Sequence, residues 1–283
     1  MRSPIWRSLS FWSRAFAYAL LALWTLWTLL PFLWALVNSL KAPVDTFSPK
    51  FIPFLDFKPV LDNWNAVLRD PNVVKALRNS ALVGALSASL ALGLAVPAAY
   101  ALARHSFPLP NQQILLWFLS QRIMPPAVVL VPFFVLMVNL RLIDTVLALV
   151  LVNTTFTLPL AVIILSDVFR EQSRDIEEAA QLDGAGEVTI FLKIALPLAR
   201  DSLIAAWLIC FAFAWNEALF AATLASDRAV TLPFLILASR STRGVDFNTA
   251  AVNTLIAILP PVVLSFFAQR YLARGLSFGA VKG

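Results

Sequence analysis

The chain has 283 residues, 60% of them hydrophobic and 13% charged, against roughly 45–50% and about 25% in soluble domains. That composition excludes an ordinary soluble fold and points to a polytopic membrane protein. The net charge of +6 comes from basic residues scattered singly between apolar segments, which gives nucleic acid no stripe to bind, and one cysteine (Cys210) with one histidine (His105) leaves no disulfide framework, thiolate cluster or multi-histidine metal site.

Apolar stretches long enough to cross a bilayer, about 20 residues, fall at 15–37, 80–103, 112–138, 146–166, 202–226 and 250–271, which predicts six spans. Arg2, Arg7 and Arg14 precede the first, as in a secretory leader. Its run is longer than the usual 7–15 residues and no A-x-A site follows, so it reads as a retained helix. Trp24, Trp27 and Trp34 within it read as lipid-facing or packing residues. Residues 38–79, rich in Pro, Asp and Lys, read as an ordered loop outside the membrane. Five of the six spans carry proline: Pro31, Pro97, Pro125-Pro126 with Pro132, Pro159, and Pro260-Pro261. They are packing kinks or pivots. Six spans put both termini on one side, but Lys and Arg divide eleven to ten between the two sides. The positive-inside rule therefore barely votes.

Residues 167–200 stand apart. Seven acids lie there, Asp167, Glu171, Asp175, Glu177, Glu178, Asp183 and Glu187, and burying them in hydrocarbon would cost on the order of 20 kcal/mol. The pattern predicts a short helix with Asp175 as N-cap and Glu178 in a capping-box relation to it. Ile176, Ala179, Ala180 and Asp183 follow helical spacing on one side. Gly184 and Gly186 allow the chain to stop and turn, Val188, Phe191, Leu192 and Ala195 resume the helical period, and Pro197 ends the unit. An alanine-lined helix suits close docking against a groove of another protein. The alternative is a helix lying on lipid, yet four basic residues against seven acids would be repelled by anionic headgroups.

Glu178-Ala179-Ala180, Gly184, Ile194 and Leu196-Pro197 match position for position the E-A-A-x₃-G-x₉-I-x-L-P loop of permease subunits of binding-protein-dependent ABC importers. The chain resembles that family, and its carbohydrate branch in "RIMPP" at 122–126, "FAWNEALF" at 213–220, "TLP" at 231–233 and the terminal "RYLARGLSFGAVKG". The resemblance implies an all-α permease with a cytoplasmic N-terminus (1–14), a six-span domain (15–272) with an extracytoplasmic loop (38–79) and a cytoplasmic coupling loop (167–200), and a cytoplasmic tail (273–283). It also implies that Glu177, Glu178, Ala179, Ala180, Asp183, Gly184, Ile194, Leu196 and Pro197 engage an ATPase subunit, with Gly275, Gly279 and Lys282 of the tail close to it. The implied partners are a second homologous permease in a heterodimer, two ATPase subunits, an extracytoplasmic solute-binding protein, membrane lipid and a sugar-type substrate. The sequence has no G-x-x-x-x-G-K-[ST], so no P-loop of this chain can cradle ATP. ATP and Mg²⁺ are expected on the partner, with no cofactor bound here and no enzymatic chemistry on this chain.

Polar groups inside spans are candidates for a substrate pathway. Arg122 lies about ten residues into the third span, Asn153, Thr154, Thr155 and Thr157 in the fourth, and Trp215, Asn216 and Glu217 in the fifth. Trp215 would suit a sugar's C–H face or anchor the chain at an interface. The hydroxyls could bind substrate or hold helices together, and Arg122 could pair with Glu217. A secondary transporter driven by an ion gradient is the competing class. It would place paired carboxylates or broken helices near the midplane, where the spans offer Glu217 as the one well-embedded acid.

Overall fold

The computed structural model describes residues 11–238, 240–241 and 244–275. They form two compact units. One is built on α1 (Phe11–Ser39), α2 (Asp62–Arg69), a two-residue hairpin of β1 (Arg240–Ser241) and β2 (Gly244–Val245), and the start of α12 (Phe247–Gly275) up to Leu255. The last carbonyls of a helix have no partner within it, and at α1 two asparagines supply donors. Asn248 Nδ2 donates to the carbonyls of Asn38 and Lys41, and Asn63 Nδ2 to those of Ser39 and Lys41, all within 3.0 Å. Most of the rest of α1 is apolar and exposed, with Trp24 and Trp27 more than 70% accessible. In a soluble protein such a face would need a cover; in a bilayer lipid supplies it.

The second unit, Asp70–Ala238 with α12 from Ile256 onward, holds the core. Asp70 caps α3 (Pro71–Arg104) by accepting from Asn72 N, with Pro71 at the first helical position. Against α3 pack α6 (Val146–Glu171), capped by Thr145, and α9 (Arg200–Trp215). Gly84, Ala88, Ala91, Ala95 and Ala99 run down one side of α3 and are all buried. Without a hydrophobic drive between helices in lipid, small residues that let backbones approach closely are what hold them.

Among the described residues, four helices are long and apolar enough to cross a membrane: α1, α3, α6 and α12 over Phe247–Phe267. Two bent pairs raise the number to six if each pair is one span. The third predicted span, 112–138, is not one helix. It is α4 (Asn111–Ile123) and α5 (Pro126–Asn139), bent by 87°. A residue before proline is driven out of the helical region, and the consecutive prolines force this on both Met124 and Pro125, which are extended at ψ 125° and 127°. The fifth, 202–226, also ends early. α9 stops at Trp215, and a non-helical stretch leads to α10 (Leu219–Leu224) and then α11 (Leu232–Ala238).

Between α6 and α9, α7 (Arg174–Leu182) is capped by Ser173, whose hydroxyl accepts from Asp175 N. Asp175, the expected cap, instead sits in the first turn, where a carboxylate favours the positive helix end. α8 (Glu187–Leu198) follows, with a π-helical turn at Phe191–Ala195. Pro197 does not end this helix. The widened turn, in which Leu196 N donates to Phe191 O, absorbs a ring that would clash in a regular α-helix, and the 74° bend into α9 comes at Ala199.

At the far end of the unit from α7, Asp144 fastens the α5–α6 loop to the α10–α11 loop. Its backbone adopts φ 59°, its N–H donates to Leu224 O, and its carboxylate accepts from the N–H groups of Ser226, Asp227, Arg228 and Ala229 at 3.0–3.1 Å. Asn79 Nδ2 donates to the carbonyls of Arg228 and Val230 beside it. Burial would raise the Asp144 pKa, but the four N–H donors outweigh it and hold the carboxyl well below the usual carboxylate range.

Two stability outcomes are expected. A depressed folded-state pKa contributes stability above the unfolded value of about 3.9 that is lost as pH falls toward the folded one. Asp144→Asn should therefore melt below the wild type at pH 7, by the equivalent of about 1–2 kcal/mol, and the gap should narrow as pH drops below about 4; a constant gap would assign the effect to shape alone. The second outcome compares two glycines of α3. A Cβ at Gly84 would lie 2.8 Å from Phe211, whose ring is stacked between Trp207 and Trp215 and cannot yield, whereas one at Gly93 meets nothing within 4 Å. Gly93→Ala should be neutral or gain up to about 1 kcal/mol, and Gly84→Ala should lose about 1–2 kcal/mol net, read as melting of the purified protein in detergent.

Candidate functional site

The 172–199 segment is the first candidate, and its turn is set by glycine. Gly184 adopts φ 87°. Its N–H donates to Gln181 O and that of Ala185 to Ala180 O, the paired bonds of a Schellman stop. Nothing crowds Gly184, so backbone conformation is what demands a glycine there. Gly186, at φ −72°, is extended and leads into α8.

α7 turns three kinds of face to its surroundings. Glu178, Ala179 and Asp183 are exposed and Ala180 is half-buried. Leu182, which the spacing argument did not single out, is 90% exposed, and Val188 on α8 is 72% exposed. Ile194 and Leu196 are half-buried and Pro197 is exposed. Apolar side chains so open on a segment too acidic for hydrocarbon are the feature a docking partner would cover.

Glu177 differs from all of these. It is 7% exposed and points back into its own chain. The Arg104 guanidinium, at the C-terminal end of α3, donates to it through Nε at 2.9 Å to both oxygens and through Nη2 at 2.7 Å, while Tyr100 Oη donates at 3.0 Å. Arg104 Nη1 is buried without an acceptor among the described residues. Beside this group lies a polar cavity of ≈ 240 Å³ lined by Tyr100, Arg104, Arg174, Glu178, Gln181 and Glu187 among others.

The second candidate is a cavity of ≈ 180 Å³ where the helix breaks meet, lined by Arg122, Asn153, Phe156, Thr157, Phe213, Glu217 and Phe220. Arg122, Asn153 and Glu217 do come together there. Arg122 lies over the Phe213 ring, 4.2 Å from its centre. Its pairing with Glu217 is not among the ion pairs of the described residues, because the Glu217 carboxylate caps α10 by accepting from the N–H groups of Phe220 and Ala221. Thr154 and Thr157 return their hydroxyls to carbonyls within α6. Trp215 is not in the cavity wall: it is 2% exposed, stacks on Phe211 and donates to Ala257 O. Asn216 is exposed and donates to Ala212 O. The aromatic walls Phe156, Phe213 and Phe220 were missed, although two of them sit in the quoted 213–220 segment. Gly275 is the last residue of α12; Gly279 and Lys282 lie outside the described residues.

Comparison with known proteins gives this arrangement a setting. Residues 91–278 match the family described as "Binding-protein-dependent transport system inner membrane component". The chain is 35% identical over 261 residues to the trehalose transport system permease protein SugB of Mycobacterium tuberculosis, covering 91% of this chain and 93% of that one. It is 32% identical over 269 residues to the probable ABC transporter permease protein y4oR of Sinorhizobium fredii, covering 92% and 95%. Among solved structures, a chain of a bacterial ABC transporter involved in the import of the acidic polysaccharide alginate superposes with a TM-score of 0.74 at 21% identity, over 93% of this chain and 98% of that one. With the family match spanning residues 91–278 and the relatives matching nearly end to end, the chain belongs to the inner membrane components of binding-protein-dependent transport systems.

Proposed function

We propose that the chain forms half of the translocation pathway of an ATP-driven importer for a sugar, oligosaccharide or polyol. Its sister half is a second, distinct permease, two ATPase subunits bind ATP and Mg²⁺, and an extracytoplasmic binding protein delivers the substrate. This chain binds no cofactor and makes or breaks no covalent bond. Both termini and the 172–199 segment face the cytoplasm, and the Asp144 end faces outward. The trehalose permease among its relatives and the alginate importer among its structural neighbours support a carbohydrate substrate.

The observation that carries this reading is the 172–199 segment: too acidic for the bilayer, stopped by Gly184 in a conformation few other residues adopt, and open at Ala179, Leu182 and Val188. ATP-driven closure of the ATPases pushes on this segment and tilts the spans, and the cavity between Arg122 and Phe220 opens to alternate sides. Uptake with ion gradients intact but an ATPase-dead partner should vanish. If it persists, transport is gradient-driven and the assignment fails.

Two substitutions test the segment. Gly184→Val should leave the chain in the membrane and abolish substrate-stimulated ATP hydrolysis, since a β-branched residue resists positive φ; undiminished stimulation would remove the turn from the mechanism. Ala179→Leu should weaken ATPase retention roughly ten- to a hundredfold, the equivalent of about 1–3 kcal/mol of overpacking. Gln181→Ala, on the other side of the helix, should not, as read by co-purification.

A further inference from the structure

Seven acids lie in the loop, and one of them, Glu177, is buried. Glu177 is turned inward: three hydrogen bonds from Arg104 and one from Tyr100 occupy its carboxylate, and Arg104 and Glu177 side chains are 7% and 9% exposed. The connection is broader than one ion pair. Arg104 Nη2 also donates to Gln172 O, Arg174 Nη2 donates to Ala103 O, and Gln172 Nε2 donates to Ala195 O. The Tyr100 ring packs against Phe169 of α6 at 5.4 Å and Phe191 of α8 at 4.9 Å. The bond from Arg174 satisfies a carbonyl at the C-terminal end of α3, and both charges sit where helix dipoles favour them: Arg104 in the last turn of α3, Glu177 in the first turn of α7.

We propose that Glu177 is a positioning residue that ties α7 to the end of α3 through Arg104 and Tyr100, so that a push on the loop is delivered to α3, and that it does not itself touch the ATPase. This rests on the reading of the segment as the ATPase-facing loop. A buried ion pair with a bidentate guanidinium has one good geometry and few compromise ones. A tie of that kind transmits displacement, whereas a set of exposed side chains would slip.

The test uses the assembled transporter, with nitroxide labels at Leu182→Cys and His105→Cys in a Cys210→Ser background, the label distance measured with and without ATP and Mg²⁺. With Glu177 intact the distance distribution should be narrow and unmoved by nucleotide. Removing one partner of a buried pair strands the other charge, so Glu177→Gln should roughly double the width while ATPase subunits still co-purify. The exchange Arg104→Glu with Glu177→Arg should narrow it again, a rescue that a general packing defect would not show. Should Glu177→Gln fail to accumulate in the membrane, Tyr100→Phe removes one hydrogen bond and no charge, and should broaden the distribution to a smaller degree. A distribution as narrow as that of the unsubstituted pair, or loss of the ATPase as complete as in Ala179→Leu, would overturn the proposal. Absence of the ATPase from the unsubstituted complex would instead refute the assignment of the loop, and the label widths in the chain alone would still decide whether Glu177 ties α7 to α3.

Discussion

Hydrocarbon offers no water to a backbone N–H or C=O, so each group in a membrane-embedded chain must find its partner within the protein. This chain interrupts its helices at Met124–Pro125, at Ala199 and at Asn216–Ala218, and at the ends of its helices side chains stand in for missing backbone partners. Glu217 takes up N–H groups at the start of α10 and Asn216 donates to the last turn of α9, whereas Asn153 returns its amide to Leu149 O within α6. Two of the polar residues that look like a substrate pathway, Asn216 and Glu217, are thus among the means by which a break is tolerated. Both roles share one location for a physical reason: non-helical backbone at membrane depth is permitted where it is buried in protein or lines a cavity.

Close packing of the same helices follows from a second consequence of the solvent. With lipid as apolar as leucine, helices gain by approach, and α3 meets α6 and α9 along glycine and alanine. The stack of Trp207, Phe211 and Trp215 then fills the volume that those small residues leave open. Trp215 is therefore occupied in packing, and the cavity takes its aromatic surface from Phe156, Phe213 and Phe220 instead.

The existence of the helices and of an acidic segment outside the bilayer was legible because both depend on composition over tens of residues. Gly184 as the turn was legible too, since few residues other than glycine adopt positive φ. What sequence did not reveal were events decided by one side chain competing with another. Ser173 takes the cap that Asp175 was expected to supply, Glu217 is drawn to α10 rather than to Arg122, and Pro197 is accommodated by a π turn rather than ending its helix. The inward direction of Glu177 was hidden for a related reason. Its partner, Arg104, lies 73 positions earlier, and a lone arginine closing a span reads as an interface anchor.

That pairing bears on how an acidic loop can be both soluble and mechanically useful. Exposed ion pairs contribute little and shift with salt and rotamer, as for Arg170 and Asp167 at 3.7 Å with both side chains substantially exposed. A buried pair is a poor source of net stability, because desolvation consumes most of its attraction, yet it penalises every geometry but one. The six other acids keep the segment in water; the seventh ties it to the end of α3. Solubility and attachment thus come from one residue type, separated by whether the carboxylate faces solvent or the end of α3.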